Sequence, residues 1–230
     1  MKLRKWLKST LSFLFRTLTR LEVKGLENLP DEGGCILAVN HLSILDPPLV
    51  FSLLARDDAI AMIAKKYQRN PFFRWIIDCT QAIWVDREKP DYRALRTAVR
   101  YLRQGGMIGI APEGTRSATG ALMRPKPGVA YLAAKADVPI VPVAISGTEN
   151  AIRMWFRLRR PAIRVEFGKP FTLPPLERTD REASLRRNTD EIMCQIARLL
   201  PPSYRGVYAN HPRLSDGRAS AKPHPAASSE

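Results

Sequence analysis

The chain has few cysteines and histidines, a shortage of acid and no long apolar run. Its three cysteines, Cys35, Cys79 and Cys194, form neither a CxxC pair nor any other metal-ligand spacing. An odd number is also ill suited to a disulfide framework. This favours a reducing compartment, with each thiol acting as a small apolar residue rather than a nucleophile. Eighteen consecutive apolar residues occur nowhere, which argues against a conventional transmembrane helix. The sequence has no GxxxxGK followed by Ser or Thr, and Gly105, Gly106 and Gly109 do not make GxGxxG. Nucleoside triphosphate chemistry therefore has no support, and no internal repeat is visible.

The acid deficit is large: 22 Asp and Glu stand against 37 Lys and Arg, a formal charge of +15. Such a balance implies an anionic partner, whether nucleic acid, an acidic bilayer or a phosphorylated substrate. Several of the basic residues alternate with Trp, Phe, Leu and Met, and this favours lipid over nucleic acid. In residues 1–21, Leu3, Trp6, Leu7, Leu11, Leu14, Leu18 and Leu21 recur at helical spacing, while Lys2, Arg4, Lys5, Lys8, Arg16 and Arg20 fall mostly elsewhere. The spacing predicts a basic amphipathic helix that lies on a membrane surface. A secretory signal peptide would need a cleaner apolar centre and a small-residue cleavage site.

A second basic and apolar stretch, Arg153-Met154-Trp155-Phe156-Arg157-Leu158-Arg159-Arg160, admits three readings: an RNA-binding patch, a solvated helix face, or a membrane-contacting loop. The last is preferred, because it supplies with the N-terminal helix the two signals that stable peripheral attachment requires. The final residues are polar, proline-containing and aperiodic, so 206–230 reads as a disordered tail.

Residues 22–205 hold enough apolar sequence for one core domain. Short apolar runs at Cys35 to Val39, Ala59 to Ala64, Gln81 to Val85, Met107 to Ala111, Ile140 to Ile145 and Ile163 to Phe167 predict buried strands. Helical patterns lie at Asp91 to Arg103, Gly128 to Ala136 and Ala183 to Leu200. Their alternation implies an α/β fold with a mixed, mostly parallel sheet flanked by helices. Functional side chains are then expected where strands pass into loops.

The predicted strand ending at Val39 runs straight into Asn40-His41-Leu42-Ser43-Ile44-Leu45-Asp46-Pro47-Pro48. Residues five apart do not share a helix face, so His41 and Asp46 meet only if the chain turns between them. Pro47 disfavours α conformation at Asp46 and gives a reason for such a turn. An aspartate accepting from one ring N–H would leave the other nitrogen as a base. Taken alone, the two residues fit better a satisfied loop histidine beside a helix-capping aspartate. Ala111 to Ser117 follows another predicted strand. There Gly114 permits close backbone approach, and Arg116 between Thr115 and Ser117 offers donors suited to phosphate. Lys126 adds a cation just before a helix N-terminus that also favours anions. For Arg116 and Glu113 a surface salt bridge or a backbone cap is the plainer alternative.

Four blocks then fall in order. NHLSILD (Asn40 to Asp46) matches the NHxxxxD block of the glycerolipid acyltransferases, and WVDR (Trp84 to Arg87) resembles their second block. APEGTRS (Ala111 to Ser117) resembles the third and VPIVPVAI (Val138 to Ile145) the fourth. Within that family the chain is most similar to bacterial 1-acylglycerol-3-phosphate acyltransferases. The resemblance implies that His41 is the general base and Asp46 its orienting partner. It implies that Glu113, Gly114, Thr115 and Arg116 shape the acceptor phosphate pocket, with Asp86, Arg87 and Lys126 lining the cleft. It further implies an acyl-CoA or acyl carrier protein donor, a lysophosphatidic acid acceptor, no cofactor, no metal and no nucleic-acid partner. Membrane phospholipids complete the expected partners, at the cytoplasmic face of the membrane. Glycerol 3-phosphate or another lysophospholipid is the alternative acceptor, and a non-catalytic basic module binding acidic lipid or nucleic acid the alternative class. The second block has Gln81 and Trp84 where the family often has a glycine-x-x-phenylalanine, which weakens its substrate contacts. Pro142, in the fourth block, is expected to end or bend its strand.

Overall fold

The computed structural model describes residues 2–86, 91–215 and 222–223. Its strands are β1 (Arg20–Lys24), β2 (Cys35–Val39), β3 (Ala59–Ala64), β4 (Ile83–Val85), β5 (Met107–Ile110), β6 (Ile140–Ser146), β7 (Ala162–Phe167), β8 (Phe171–Thr172) and β9 (Lys222–Pro223). The helices are α1 (Lys2–Leu18), α2 (Asp46–Leu53), α3 (Pro71–Cys79), α4 (Tyr92–Arg103), α5 (Gly128–Ala136), α6 (Ala151–Trp155), α7 (Arg181–Leu199) and α8 (Pro212–Ser215). The sheet runs β1-β7-β6-β2-β5-β3-β4. From β6 to β4 the strands are parallel. Strand β7 then turns antiparallel to β6, and β1 pairs parallel with β7. The α/β fold and the mixed, mostly parallel sheet are as the alternation of patterns predicts.

Continuous apolar strands of this kind belong to sheets buried on both faces, and side chains along β2 divide between two cores. Ile36 and Ala38 pack under α4, α5 and α7 with Leu102, Leu132 and Ile192. Cys35 and Leu37 face the other way, into a core with Leu49 of α2 and Phe15 of α1. Burial there pushes the Cys35 thiol up to about 12, as expected for an inert apolar residue. Strand β6 runs straight through Pro142, contrary to the expected break. Pairing with β7 stops at Val143–Phe167, and the Pro142 carbonyl accepts from Gly168 just past the end of β7. The missing N–H therefore falls where β7 has run out of partners.

The N-terminal helix forms, but it ends at Leu18 rather than Leu21. Arg20–Lys24 alternates exposed and half-buried residues as edge strand β1. The helix docks through a mixed face, Arg4 and Lys8 together with Leu11 and Phe15. Arg4 and Lys8 are buried, although burial lowers the pKa of both. Arg4 donates to the carbonyls of Thr80 and Ala59, and Lys8 donates to the Arg56 carbonyl at 2.7 Å. Both cations also stand over the Phe51 ring of α2. The apolar residues Leu3, Trp6, Phe13, Leu14 and Leu18 are left facing outward.

Residues 206–215, expected to begin a disordered tail, pack on α7 instead. Tyr208 is buried and donates to Asp190 at 2.9 Å, while His211 Nδ1 lies 3.3 Å from Cys194 Sγ. An aromatic ring with a hydrogen-bonding tip is enough to hold a short polar segment down. No described helix is long and apolar enough to cross a membrane.

Candidate active site

The site forms at the carboxyl ends of β2, β5 and β6. Asn40, the first residue past β2, is buried and clasps the neighbouring strand. Its amide donates to the Ile145 carbonyl at 2.9 Å and accepts from the Ile145 N–H at 2.7 Å. That double bond sets the direction in which the chain leaves β2. The next residue is then held at both ends of its backbone: the His41 N–H donates to Glu113 Oε1 at 3.0 Å, and the His41 carbonyl accepts from Ser117 N–H at 2.8 Å.

The turn between His41 and Asp46 is built by Asp46 itself. Its Oδ2 accepts from the N–H groups of Leu42 and Ser43, both at 2.7 Å, and lies 2.9 Å from His41 Nδ1. Its Oδ1 accepts from the Thr148 hydroxyl at 2.6 Å, across from the end of β6. The aspartate therefore begins α2, organises the loop before it and orients the imidazole. Four donors compensate the burial of its charge, without which the carboxylate would be costly. Because Oδ2 acts as an acceptor here, Nδ1 is the donor of that contact, and in a neutral ring Nε2 is then the nitrogen with the lone pair. The His41 side chain is 14% exposed, against 3% for Asp46, so a partly exposed imidazole rests on a buried carboxylate.

Glu113, expected to shape the acceptor pocket or to cap the backbone, faces inward and does the second. It is 3% exposed, and its second oxygen accepts from Met123 N–H at 2.9 Å. Both oxygens thus serve the backbone, bracing the His41 peptide against the loop after β5. Burial raises this carboxyl above the ordinary glutamate range, while the two amides pull it down. Gly114 sits at a φ of 70°, where a Cβ would lie 3.0 Å from Lys126 Cδ. The Lys126 stem therefore crosses the turn, and its backbone N–H donates to the Pro112 carbonyl at 2.8 Å. Thr115, Arg116 and Lys126 are exposed on the same loop system. The Arg116 guanidinium has no hydrogen-bond or ion-pair partner among the described residues. A side chain so placed is free to meet an anion.

The structure brings together His41, Asp46, Glu113, Gly114 and Lys126, with Thr115 and Arg116 on the adjoining surface. Asp86 stands apart: it follows β4, two strands beyond β5, and its N–H donates to Asp91 Oδ2 at 3.1 Å. Asp91 is paired there with Lys65 at 2.8 Å. Arg87 lies outside the described residues. Asn40 and Thr148 are the two side chains that sequence reasoning did not assign. Asn40 adjoins the histidine in the first block, but the clasp to β6 depends on strand order. Thr148 is 102 positions from Asp46 and looks like an ordinary turn residue until β6 is laid beside β2. Among the described residues no three His, Cys, Asp or Glu side chains cluster to hold a metal ion.

The family model described as acyltransferase matches residues 20–146, more than half of the chain and all of this site but Thr148. The chain belongs to the acyltransferase family. It is 31% identical to the 1-acyl-sn-glycerol-3-phosphate acyltransferase of Pseudomonas aeruginosa over 140 residues, covering 59% of this chain and 51% of that protein. The namesake from Borreliella burgdorferi is 30% identical over 138 residues, covering 57% and 53%. The match thus spans about half the length of these curated relatives. A solved structure, the 1-acyl-sn-glycerophosphate acyltransferase PlsC from Thermotoga maritima, shares the fold of this acyltransferase-family chain. It aligns with a TM-score of 0.61 at 26% identity, over 82% of this chain and 76% of that one.

Proposed function

We propose that this chain is an O-acyltransferase that moves a fatty acyl group from an acyl thioester to the free hydroxyl of 1-acylglycerol 3-phosphate, giving phosphatidic acid at a membrane surface. The observation that carries this reading is the His41–Asp46 contact of 2.9 Å, with the exposed cations Arg116 and Lys126 on the loop system that Ser117 N–H ties to the His41 carbonyl. Nε2 takes the proton of the acceptor hydroxyl as its oxygen attacks the thioester carbonyl. The tetrahedral intermediate collapses, the carbon–sulfur bond breaks, and the imidazolium returns the proton to the leaving thiolate. Asp46 stabilises the imidazolium through Nδ1–H, and no acyl-enzyme is needed. Arg116 and Lys126 hold the acceptor phosphate, and the backbone at Gly114 approaches it closely. The donor is acyl-CoA or an acyl carrier protein, the reaction calls for no cofactor, and the chain attaches peripherally at the cytoplasmic face.

Replacing His41 by Ala tests the base. Transfer should fall by ~10² to 10⁴, the usual worth of general-base assistance, while circular dichroism and vesicle binding stay unchanged. Activity within a few-fold of wild type would eliminate the proposal. Arg116→Ala should raise KM for the phosphorylated acceptor far more than for a phosphate-free diacylglycerol precursor, and equal loss on both would remove Arg116 from the phosphate seat. Running both thioester donors side by side decides between them.

A further inference from the structure

Where α1 ends, the chain builds a second cationic feature that the transfer reaction does not use. Trp155 at the end of α6 donates through Nε1 to the Leu18 carbonyl at 2.9 Å. Arg160 donates to the carbonyls of Arg16 and Thr19 at 2.9 and 2.6 Å. The two stretches that read as membrane signals, 130 residues apart in sequence, are thereby clamped into one surface. Between them lies an open concavity of about 530 Å³, lined by Arg16, Arg20, Arg160, Thr19 and Glu22. Glu22 is already paired with Lys24 at 2.9 Å, so the net character of the hollow is cationic. The two clamped stretches also carry exposed apolar side chains, the apolar rim of this joint surface: Leu14 and Leu18 are 43% and 42% exposed on α1, and Phe156 and Leu158 are 86% and 97% exposed after α6. Leu158 holds this position in a left-handed conformation, φ 53°, which costs an apolar L-residue energy and presents its side chain to the outside.

We propose that this hollow docks the phosphate headgroups of an anionic bilayer, with Phe156 and Leu158 entering the interface around it. Charge complementarity commits the surface to lipid: three arginines at the end of an amphipathic helix supply fork-shaped donors for phosphate, and the rim supplies apolar area for the acyl boundary. Strand register gives the docking a direction. Arg20 pairs with Ala162 at the start of β1 and β7, at the same end of the sheet where Ser146 closes β6 and Val39 closes β2. The hollow and His41 thus share one end of the sheet, three strands or on the order of 15 Å apart. A bilayer seated on the hollow meets the molecule at its catalytic end.

The test uses the full chain and phosphatidylcholine vesicles with and without phosphatidylglycerol. Wild type should float with the phosphatidylglycerol vesicles. The double variant Arg16→Gln, Arg20→Gln should bind them about 30-fold more weakly, at about 1 kcal/mol per surface cation. Phe156→Ser should weaken binding to both vesicle types. A charge-matched control on the far helix, Arg96→Gln with Arg100→Gln, should change binding less than threefold. Equal loss in the control, undiminished binding by the Arg16 and Arg20 variant, or full competition by free glycerol phosphate would each overturn the proposal. Transfer to a monomeric short-chain acceptor should survive in the Arg16 and Arg20 variant. The docking claim therefore stands or falls separately from the chemistry.

Discussion

Asp46 places two oxygens in different duties, and this makes the residues around it separable by experiment. Oδ2 holds the imidazole and two loop amides, whereas Oδ1 depends on the Thr148 hydroxyl alone among the hydrogen bonds seen. Thr148→Val keeps the volume of a fully buried side chain but leaves one oxygen of a buried carboxylate without a donor. A hydrogen bond to a charged group is worth about 1.5 to 3 kcal/mol, so kcat should fall about 10- to 100-fold. KM should stay nearly constant, because Thr148 acts on the base through Asp46 and not on substrate. Thr148→Ser should restore most of the activity; a variant that loses only thermal stability would assign Thr148 a purely structural role. Glu113 offers a second test with a definite sign. Burial raises its folded carboxyl above the unfolded value near 4.3. Its contribution to stability is therefore fully present below that value and is lost as pH rises through the folded one. Urea titrations across mildly acidic pH should show wild type losing ground to Glu113→Gln as pH rises through this window, then running parallel to it above. Wild type gaining on Glu113→Gln as pH rises would reverse the sign and refute the burial argument.

At the scale of elements, the strands read most directly are those buried on both faces. The apolar runs that became β2, β3, β5 and β6 needed only composition to be read, since a parallel sheet covered on both faces carries no alternation. Strand β1 was missed because Arg20–Lys24 alternates charge with half-buried apolar residues at an edge, and its partner lies 142 positions away. The short helix α2 was hidden by Pro47 and Pro48, which sit in its first turn where a missing N–H costs nothing. Helix α1 was legible as a helix, but the face it docks was not. The spacing predicted a helix lying on a membrane surface and did not say which residues hold it to the domain; the carbonyls of Thr80, Ala59 and Arg56 together with Asp57 draw Arg4 and Lys8 inward. The catalytic pair was legible as a candidate; the clasp that aims it was not, because Asn40 meets Ile145 only through strand order. Asn40→Ala removes both of its bonds from a buried site and strands the Ile145 N–H and carbonyl. The expected loss is about 2 to 4 kcal/mol in chemical unfolding, with transfer reduced even where the variant remains fully folded. Stability within about 0.5 kcal/mol of wild type, the usual effect of a surface substitution, would show the clasp to be idle.

For the whole molecule, the charge of +15 and the hollow at the α1–α6 junction act over different distances, and salt separates them. A formal charge spread over the surface draws the chain toward anionic membranes from afar. That attraction is screened beyond about 8 Å at physiological ionic strength and beyond about 3 Å at 1 M. Arginine forks in contact with phosphate and side chains inserted at the interface lie within those lengths. Raising salt should accordingly slow association with phosphatidylglycerol vesicles steeply while speeding dissociation little, since steering governs the first and contact the second. Phe156→Ser should do the opposite, leaving the association rate and its salt dependence intact while speeding release. Stopped-flow energy transfer to labelled vesicles measures both rates. If Phe156→Ser altered association alone, the exposed rim would be serving as part of the diffuse field and the docked geometry would be wrong. If dissociation tracked salt as steeply as association, the arginines would be acting as unspecific charge. Activity on vesicle-borne acceptor should follow residence time more closely than encounter rate, because an acceptor hydroxyl must reach His41 before the chain leaves the surface.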